Sequence, residues 1–289
     1  MRKLLLKVTA GPGHSFSVTH EDCETFYGDY HYHPEYELTL VVKGEGTRFV
    51  GDTIEPFSSG DLVLIGADLP HVWKSENKSN NPKENSSSVA VHFTKRFLGD
   101  QFFQTPEMHL VKEMLDRSSR GVQLMGKTKR EVSKLMIKML EQTSAQRLIT
   151  LLDILDRISI SSENRLLTTP RFTSIYLPDD SVRIKNVYQY VVTNFKKPIR
   201  LEEAAKAASM SPTSFCRYFR QHTRKTFSSF VNEIRVSYAC RLLQDENKKM
   251  VEVCYESGFG NLSNFNKQFK TVVRLTPMQY VKTGIGKNL

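Results

Sequence analysis

The sequence predicts an α+β chain of two domains. The first is an N-terminal β-barrel with trailing helices, and the second is an all-α domain holding two helix-turn-helix units. Three observations predict this. Short strand-like runs separated by Gly and polar turns fill residues 8–95. From about Phe97 the apolar spacing becomes helical. The last part of the chain repeats itself at an offset of 50 residues. A length of 289 residues also favours about two domains. The expected boundaries are 1–165 for the first domain, 166–182 for a linker and 183–289 for the second.

In the first domain, Leu38-Thr-Leu-Val-Val42 and Asp61-Leu-Val-Leu-Ile65 read as strands. Lys43-Gly-Glu-Gly46 and Ser58-Ser-Gly60 read as turns. Residues 75–88 contain no apolar side chain and read as a loop before the strand Val89-Ala-Val-His-Phe93. Leu135, Met136, Met139 and Leu140 recur at helical spacing, as do Leu148, Leu151, Leu152, Leu155 and Ile158. Such a helical pair either packs on the strands or supplies a dimerisation face, and the stripe does not choose. Residues 161–180 show little periodicity and read as linker.

The charge divides at the same place. Residues 1–180 hold 22 Lys+Arg against 24 Asp+Glu, a net of −2. Residues 181–289 hold 19 against 7, a net of +12, which accounts for the chain's +10. A near-neutral domain is joined to one suited to a polyanion. No apolar run approaches the roughly 18–20 residues that span a bilayer, so no membrane partner is expected. The N-terminus lacks the apolar core of a signal peptide. Cys23, Cys216, Cys240 and Cys254 form no CxxC pair. They read as free thiols, and the cytoplasm is the expected location.

In the basic half, Phe215 aligns with Phe265, Phe219 with Phe269, Thr226 with Thr276, Phe230 with Tyr280, Arg217 with Lys267 and Arg220 with Lys270. Leu201, Glu202 and Ala204 align with Val251, Glu252 and Cys254 at the same offset. Each copy reads as helix, tight turn, helix. Ser211 and Asn261 are the N-caps of the second helices, and Pro212 takes the first helical position of its helix. Gly258 stands where a helix stop needs a left-handed residue. A connecting helix is expected over Ser228–Gln244. Phe215 and Phe219, four residues apart, turn inward, which leaves Thr213, Ser214, Arg217 and Arg220 on other faces. Arg on such a helix can bond guanine edges in a major groove while other basic residues meet phosphates.

This segment resembles the tandem helix-turn-helix module of the AraC/XylS family of transcription regulators. The resemblance covers about 183–282. Its most specific part is Gly258-Phe-Gly-Asn-Leu-Ser-Asn-Phe-Asn-Lys-Gln-Phe-Lys270, followed by Thr276-Pro-Met-Gln-Tyr280. It implies that Thr213, Cys216 and Arg217 face bases from the first reading helix, with Ser214 beside them. Ser263, Asn266 and Lys267 do so from the second, with Asn264 beside them. Arg220 and Lys270 fall nearer the backbone. The family usually has Gly after each reading helix, where this chain has Arg224 and Arg274, and Val281 stands where its signature usually ends in Arg.

His31-Tyr-His33-Pro-Glu-Tyr-Glu37 and Gly60 through His71 resemble the two motifs of the cupin barrel. Gly66 and Asp68 replace the usual Pro and Gly of the second motif. In metal-binding cupins the matching positions, here His31, His33, Glu37 and His71, hold a divalent ion. Three imidazoles and a carboxylate suit Zn, Fe, Mn or Ni. The alternative is a small-molecule effector pocket with the same residues as walls, joined by Arg48, Trp73 and His92 from neighbouring strands. No other cofactor is expected. Trp73, Tyr32 and Tyr36 would offer apolar faces to a sugar or aromatic ring.

Together the resemblances imply a cupin-like sensor domain on a DNA-binding domain. The expected partners are double-stranded promoter DNA, a small-molecule effector, RNA polymerase if the protein activates, and a second copy as a homodimer. A metal-dependent cupin enzyme fused to a DNA-binding domain, or a barrel that only dimerises, remain the alternatives.

Overall fold

The structure, a computed structural model, describes residues 14–24, 26, 30–51, 53–75, 85–168, 178–223, 225–243 and 248–283. Most of the expected 75–88 loop, residues 169–177 of the expected linker and Arg224 lie outside this set. Seven strands come first: β1 (Phe16–Cys23), β2 (Tyr36–Lys43), β3 (Gly46–Val50), β4 (Thr53–Phe57), β5 (Leu62–Ile65), β6 (His71–Ser75) and β7 (Ser86–Phe93). Then follow α1 (His109–Arg117), β8 (Val122–Leu124), α2 (Gly126–Met139), α3 (Ser144–Ile160) and β9 (Asn164–Leu166). The chain forms two compact units, residues 1–45 with 58–170, and residues 46–57 with 171–289.

In the first unit six strands form one antiparallel sheet in the order β1-β7-β2-β5-β8-β9. Its outer strands, β1 and β9, do not pair with each other, so among the described residues the sheet does not close. The expected barrel is therefore seen as an open sheet. The short strands β8 and β9, drawn from the helical stretch, extend it past β5 instead of closing it. Leu38, Leu40, Leu62, Leu64, Val89 and Val91 bury one face against Val132, Met136 and Met139 of α2 and Leu151, Ile154, Leu155 and Ile158 of α3. The helical stripe is thus core, while Ile137, Ile149 and Ile160 on other faces stay exposed. A capping box starts α3, with Thr143 and Gln146 satisfying each other's backbone N–H.

The departures from the second cupin motif have local reasons. A Cβ at Gly66 would lie 2.5 Å from Ser119 N and 2.6 Å from Ser118 O, so that strand end meets another backbone at glycine distance. Asp68 is left-handed at φ 58°, a conformation Asp tolerates better than most residues.

In the second unit β3 and β4 make a hairpin, Gly46 opposite Phe57 and Val50 opposite Thr53. The remaining elements are helices: α4 (Pro178–Asn194), α5 (Leu201–Ala207), α6 (Pro212–Thr223), α7 (Phe227–Leu242), α8 (Met250–Glu256), α9 (Leu262–Val273) and α10 (Pro277–Thr283). Helix α4 opens at Pro178, inside the expected linker, because Pro is tolerated in a first helical turn.

The two copies of the repeat fold alike. In each, the turn after the first helix is a Schellman motif. Met210 N donates to Ala205 O (2.9 Å) and Ser209 N to Lys206 O (2.9 Å); Phe259 N donates to Cys254 O (3.1 Å) and Gly258 N to Tyr255 O (3.0 Å). Ser209 (φ 56°) and Gly258 (φ 85°) occupy the left-handed position. The matching residues are therefore Ala204, Ala205 and Ala208 with Val253, Cys254 and Ser257, all buried. That offset is 49 in the first helices, not the 50 expected from Leu201 and Val251. Asn261 still matches Ser211 at 50, so the second turn is one residue longer, with Gly260 in open space.

Candidate functional site

Helices α6 and α9 are positioned by the same devices. Ser211 Oγ accepts from Ser214 N (3.4 Å) and Asn261 Oδ1 from Asn264 N (2.8 Å). Phe215 and Phe219 are fully buried with ring centroids 5.6 Å apart, and Phe265 and Phe269 with centroids 5.7 Å apart. Phe219 then meets Phe230 at 5.4 Å, and Phe269 meets Tyr280 at 5.7 Å. Thr226 and Thr276, paired by the repeat, both act as caps, accepting from Ser229 N (3.2 Å) and Gln279 N (3.2 Å).

With the aromatics inside, the opposite faces are fixed. Thr213, Cys216, Arg217 and Arg220 on α6 are exposed and Ser214 is half-buried. Ser263, Asn264, Asn266, Lys267 and Lys270 on α9 are all exposed. Nine of the ten residues anticipated as DNA-facing are therefore exposed, Ser214 being the half-buried one. A cleft of about 1700 Å³ is lined by Thr213, Cys216, Arg217 and Arg220 of α6 and by Tyr255 and Phe259 of the second copy.

Arg274 ends α9 in the left-handed conformation (φ 67°), its N–H bonded to Lys270 O. The helix end keeps the shape that Gly supplies in the family, at a cost of about 1–2 kcal/mol for a residue with a Cβ.

The second candidate site lies in the first unit. Glu37 Oε2 faces three imidazoles, at 2.9 Å from His33 Nε2, 3.0 Å from His71 Nε2 and 3.1 Å from His92 Nε2. Strand register explains this, since Glu37 of β2 stands directly opposite His92 of β7. A backbone bridge between His31 and His71 brings in the rest. Thr39 Oγ1 donates to the other carboxylate oxygen of Glu37. Burial would raise the Glu37 carboxyl, but the neighbouring His71 and the three imidazole hydrogen bonds outweigh it and hold the group well below its ordinary range.

The ring nitrogens add a constraint. His71 Nδ1 donates to Leu69 O (2.7 Å) and His33 Nδ1 to Glu35 O (3.1 Å), since a carbonyl can only accept. Both Nε2 atoms then face the carboxylate, either protonated or with lone pairs aimed at a common point. The latter, with Nδ1–H on a backbone carbonyl, is the outer-shell pattern of metal-binding histidine. One ligand atom from each of His31, His33, Glu37 and His71 lies within 4.8 Å of the others. The donor set and spacing thus fit a divalent ion. Among the described residues, His92 Nδ1 is buried without a hydrogen-bond partner.

The sequence placed His92 near the site, but not on Glu37, and it missed Thr39. The signal for Thr39 was present, because a residue two positions from Glu37 on a strand shares its face. Trp73 lies beside the centre, its ring 5.9 Å from His71, with Nε1 donating to Asp61 Oδ2 at 3.3 Å. Arg48 ion-pairs with Glu55 across the β3–β4 hairpin at 3.0 Å. Tyr36 stacks on Phe93 at 5.3 Å as part of the core. Among the described residues the four cysteines form no disulfide, with Cys240 and Cys254 buried and Cys216 exposed.

Residues 204–283 match a family profile described as a helix-turn-helix domain. The chain is 23% identical over 261 residues to the HTH-type transcriptional regulator YdeC of Bacillus subtilis (strain 168), spanning 87% of this chain and 85% of that one. The C-terminal part of the chain thus carries a helix-turn-helix domain. It is also 23% identical over 252 residues to the HTH-type transcriptional activator RhaR of Escherichia coli O139:H28, spanning 86% of each. The crystal structure of ToxT from Vibrio cholerae O395 aligns with 94% of this chain and 99% of its own, at 15% identity and a TM-score of 0.38. Among the described residues no helix is long and apolar enough to cross a membrane.

Proposed function

We propose that this chain is a one-component transcription regulator of the AraC type. Its helices α6 and α9 read promoter DNA, and its N-terminal sheet, a variant of the cupin barrel, senses a small molecule. One observation carries the reading. Two equivalent, capped helices present exposed polar and basic side chains over matching buried Phe pairs. Arg217 and Lys267 take base edges, and Arg220 and Lys270 take phosphates. The YdeC and RhaR names, of a transcriptional regulator and a transcriptional activator, support the same function.

The sensor centre is the Glu37 cluster of His33, His71 and His92, with His31 and Trp73 at its side. The paired Nδ1–carbonyl bonds of His33 and His71 favour a divalent cation as part of what it senses. His31, His33, Glu37 and His71 would hold the ion. An organic effector resting on the same residues is the second reading, supported by the aromatic wall of Trp73. The protein works in the cytoplasm as a homodimer. The exposed Ile149 and Ile160 of α3 support the dimer, and an activating role would bring RNA polymerase as a partner.

Selection of bound duplexes from a random library by the full chain, followed by affinity measurements at two salt concentrations, tests the DNA function. The expected result is a defined site with binding that weakens steeply as salt rises. Binding with no sequence preference would refute it. Titration with Zn²⁺, followed through the fluorescence of Trp73, the chain's single tryptophan, separates the two effector readings.

A further inference from the structure

Arg235 lies in the middle of α7, half-buried, and lines the cleft that Thr213, Cys216, Arg217 and Arg220 also line. Its Nε donates to Phe195 O (2.8 Å) and an Nη donates to Lys197 O (2.9 Å). These carbonyls follow the C-terminus of α4, where helices leave acceptors without intrahelical partners and a cation is favoured. The guanidinium also sits 5.8 Å from the centroid of Phe259, in the turn between α8 and α9. The same turn comes against the same carbonyl from the other side. A Cβ at Gly258 would lie 2.4 Å from Phe195 O and 3.0 Å from Arg235 Nε.

Three elements thus converge on Phe195 O: the end of the helix that precedes the first copy, the connecting helix and the turn of the second copy. Arg suits this point better than Lys. Its planar fork reaches two carbonyls at once while its face lies on an aromatic ring. Neighbouring contacts brace the same end of α4, with Phe195 and Tyr238 rings 5.2 Å apart and Lys196 Nζ 4.4 Å from the Tyr238 centroid.

We propose that Arg235 is a positioning residue that fixes the separation of the two reading helices, and so the spacing of the half-sites the protein accepts. This rests on the DNA-reading assignment of α6 and α9. Two linked modules bind one duplex well only when their separation matches the site, because the second contact then forms at high effective concentration. A tie through two hydrogen bonds and a cation–π contact holds that separation from within the chain.

The test uses the full chain carrying Cys23→Ser. Nitroxide labels on Cys216 and on Thr271→Cys report the distance between α6 and α9 by pulsed electron resonance. With Arg235 the distribution is narrow. In Arg235→Gln it widens and shifts, while helical circular dichroism is retained. In parallel, unlabelled protein selects duplexes from a random library. The parent selects two half-sites at one separation. Arg235→Gln selects the same half-site sequences at scattered separations and loses about tenfold affinity for the parental duplex. An unchanged distance distribution or an unchanged spacing overturns the proposal. If Arg235→Gln loses its helical signal, Arg235→Lys, which reaches only one carbonyl, is measured in its place with the same readouts. The distance measurement needs no DNA, so failure of the DNA-reading assignment leaves the test of the tie standing.

Discussion

Removing the Glu37 carboxylate by Glu37→Ala takes away at once the hydrogen-bond partner shared by the buried His33 and His71 and the half-buried His92. Each had a partner at 2.9–3.1 Å, and His33 and His71 are each 1% exposed. An orphaned buried donor costs about 1–3 kcal/mol. Breaking a buried charged pair by deleting one member costs about 3–5 kcal/mol, and we take this as the expected loss because relaxation and water entry limit a simple sum. For a unit of this size each kcal/mol moves Tm by about 2–4 °C, so the expected fall is about 6–20 °C. Glu37→Gln keeps an acceptor oxygen for the imidazoles and should lose less. The assay is thermal unfolding followed by Trp73 fluorescence, which reports on the unit that holds the centre. The pH dependence has a definite sign. The folded carboxyl is held below its ordinary range, so the unfolded chain binds more protons as the pH falls through that range. The stabilisation is therefore present above the ordinary carboxylate pKa and declines below it, and Glu37→Ala should flatten that decline. A Tm within about 2 °C of the parent, against the slope used above, would refute the account of the centre.

Other outcomes are expected. Arg217→Ala and Lys267→Ala should each weaken binding to the selected duplex by about 1–3 kcal/mol and relax preference at one base position, as read by competition with base-substituted duplexes. Arg220→Ala and Lys270→Ala should weaken all sequences alike and lower the salt slope. Gly258→Ala should destabilise the second unit by at least about 1–2 kcal/mol, since Ala must enter a left-handed conformation and its Cβ would crowd Phe195 O. Chemical denaturation monitored by circular dichroism measures this, and an unchanged midpoint would contradict it.

The sequence made the repeat and its caps legible because they are local. Ser211, Asn261, Thr226 and Thr276 sit at fixed distances from the backbone groups they satisfy, and the Phe spacing marks the inner face directly. The same regularity concealed the extra residue at Gly260. Matching the acidic residues Glu202 and Glu252 looked sound, yet burial pairs Ala205 with Cys254. In the first unit, β8 and β9 were not anticipated, because three-residue strands carry too few alternations to show a period. Arg235 gave no signal at all. Its partners are backbone carbonyls 38 and 40 residues away, and a carbonyl has no letter in a sequence.

The two copies are alike inside and unlike outside. Thr213, Cys216 and Arg217 on one correspond to Ser263, Asn266 and Lys267 on the other. On the proposed function each reader would take its own half-site, and the order in which a promoter writes the two halves would then set which way a single chain points.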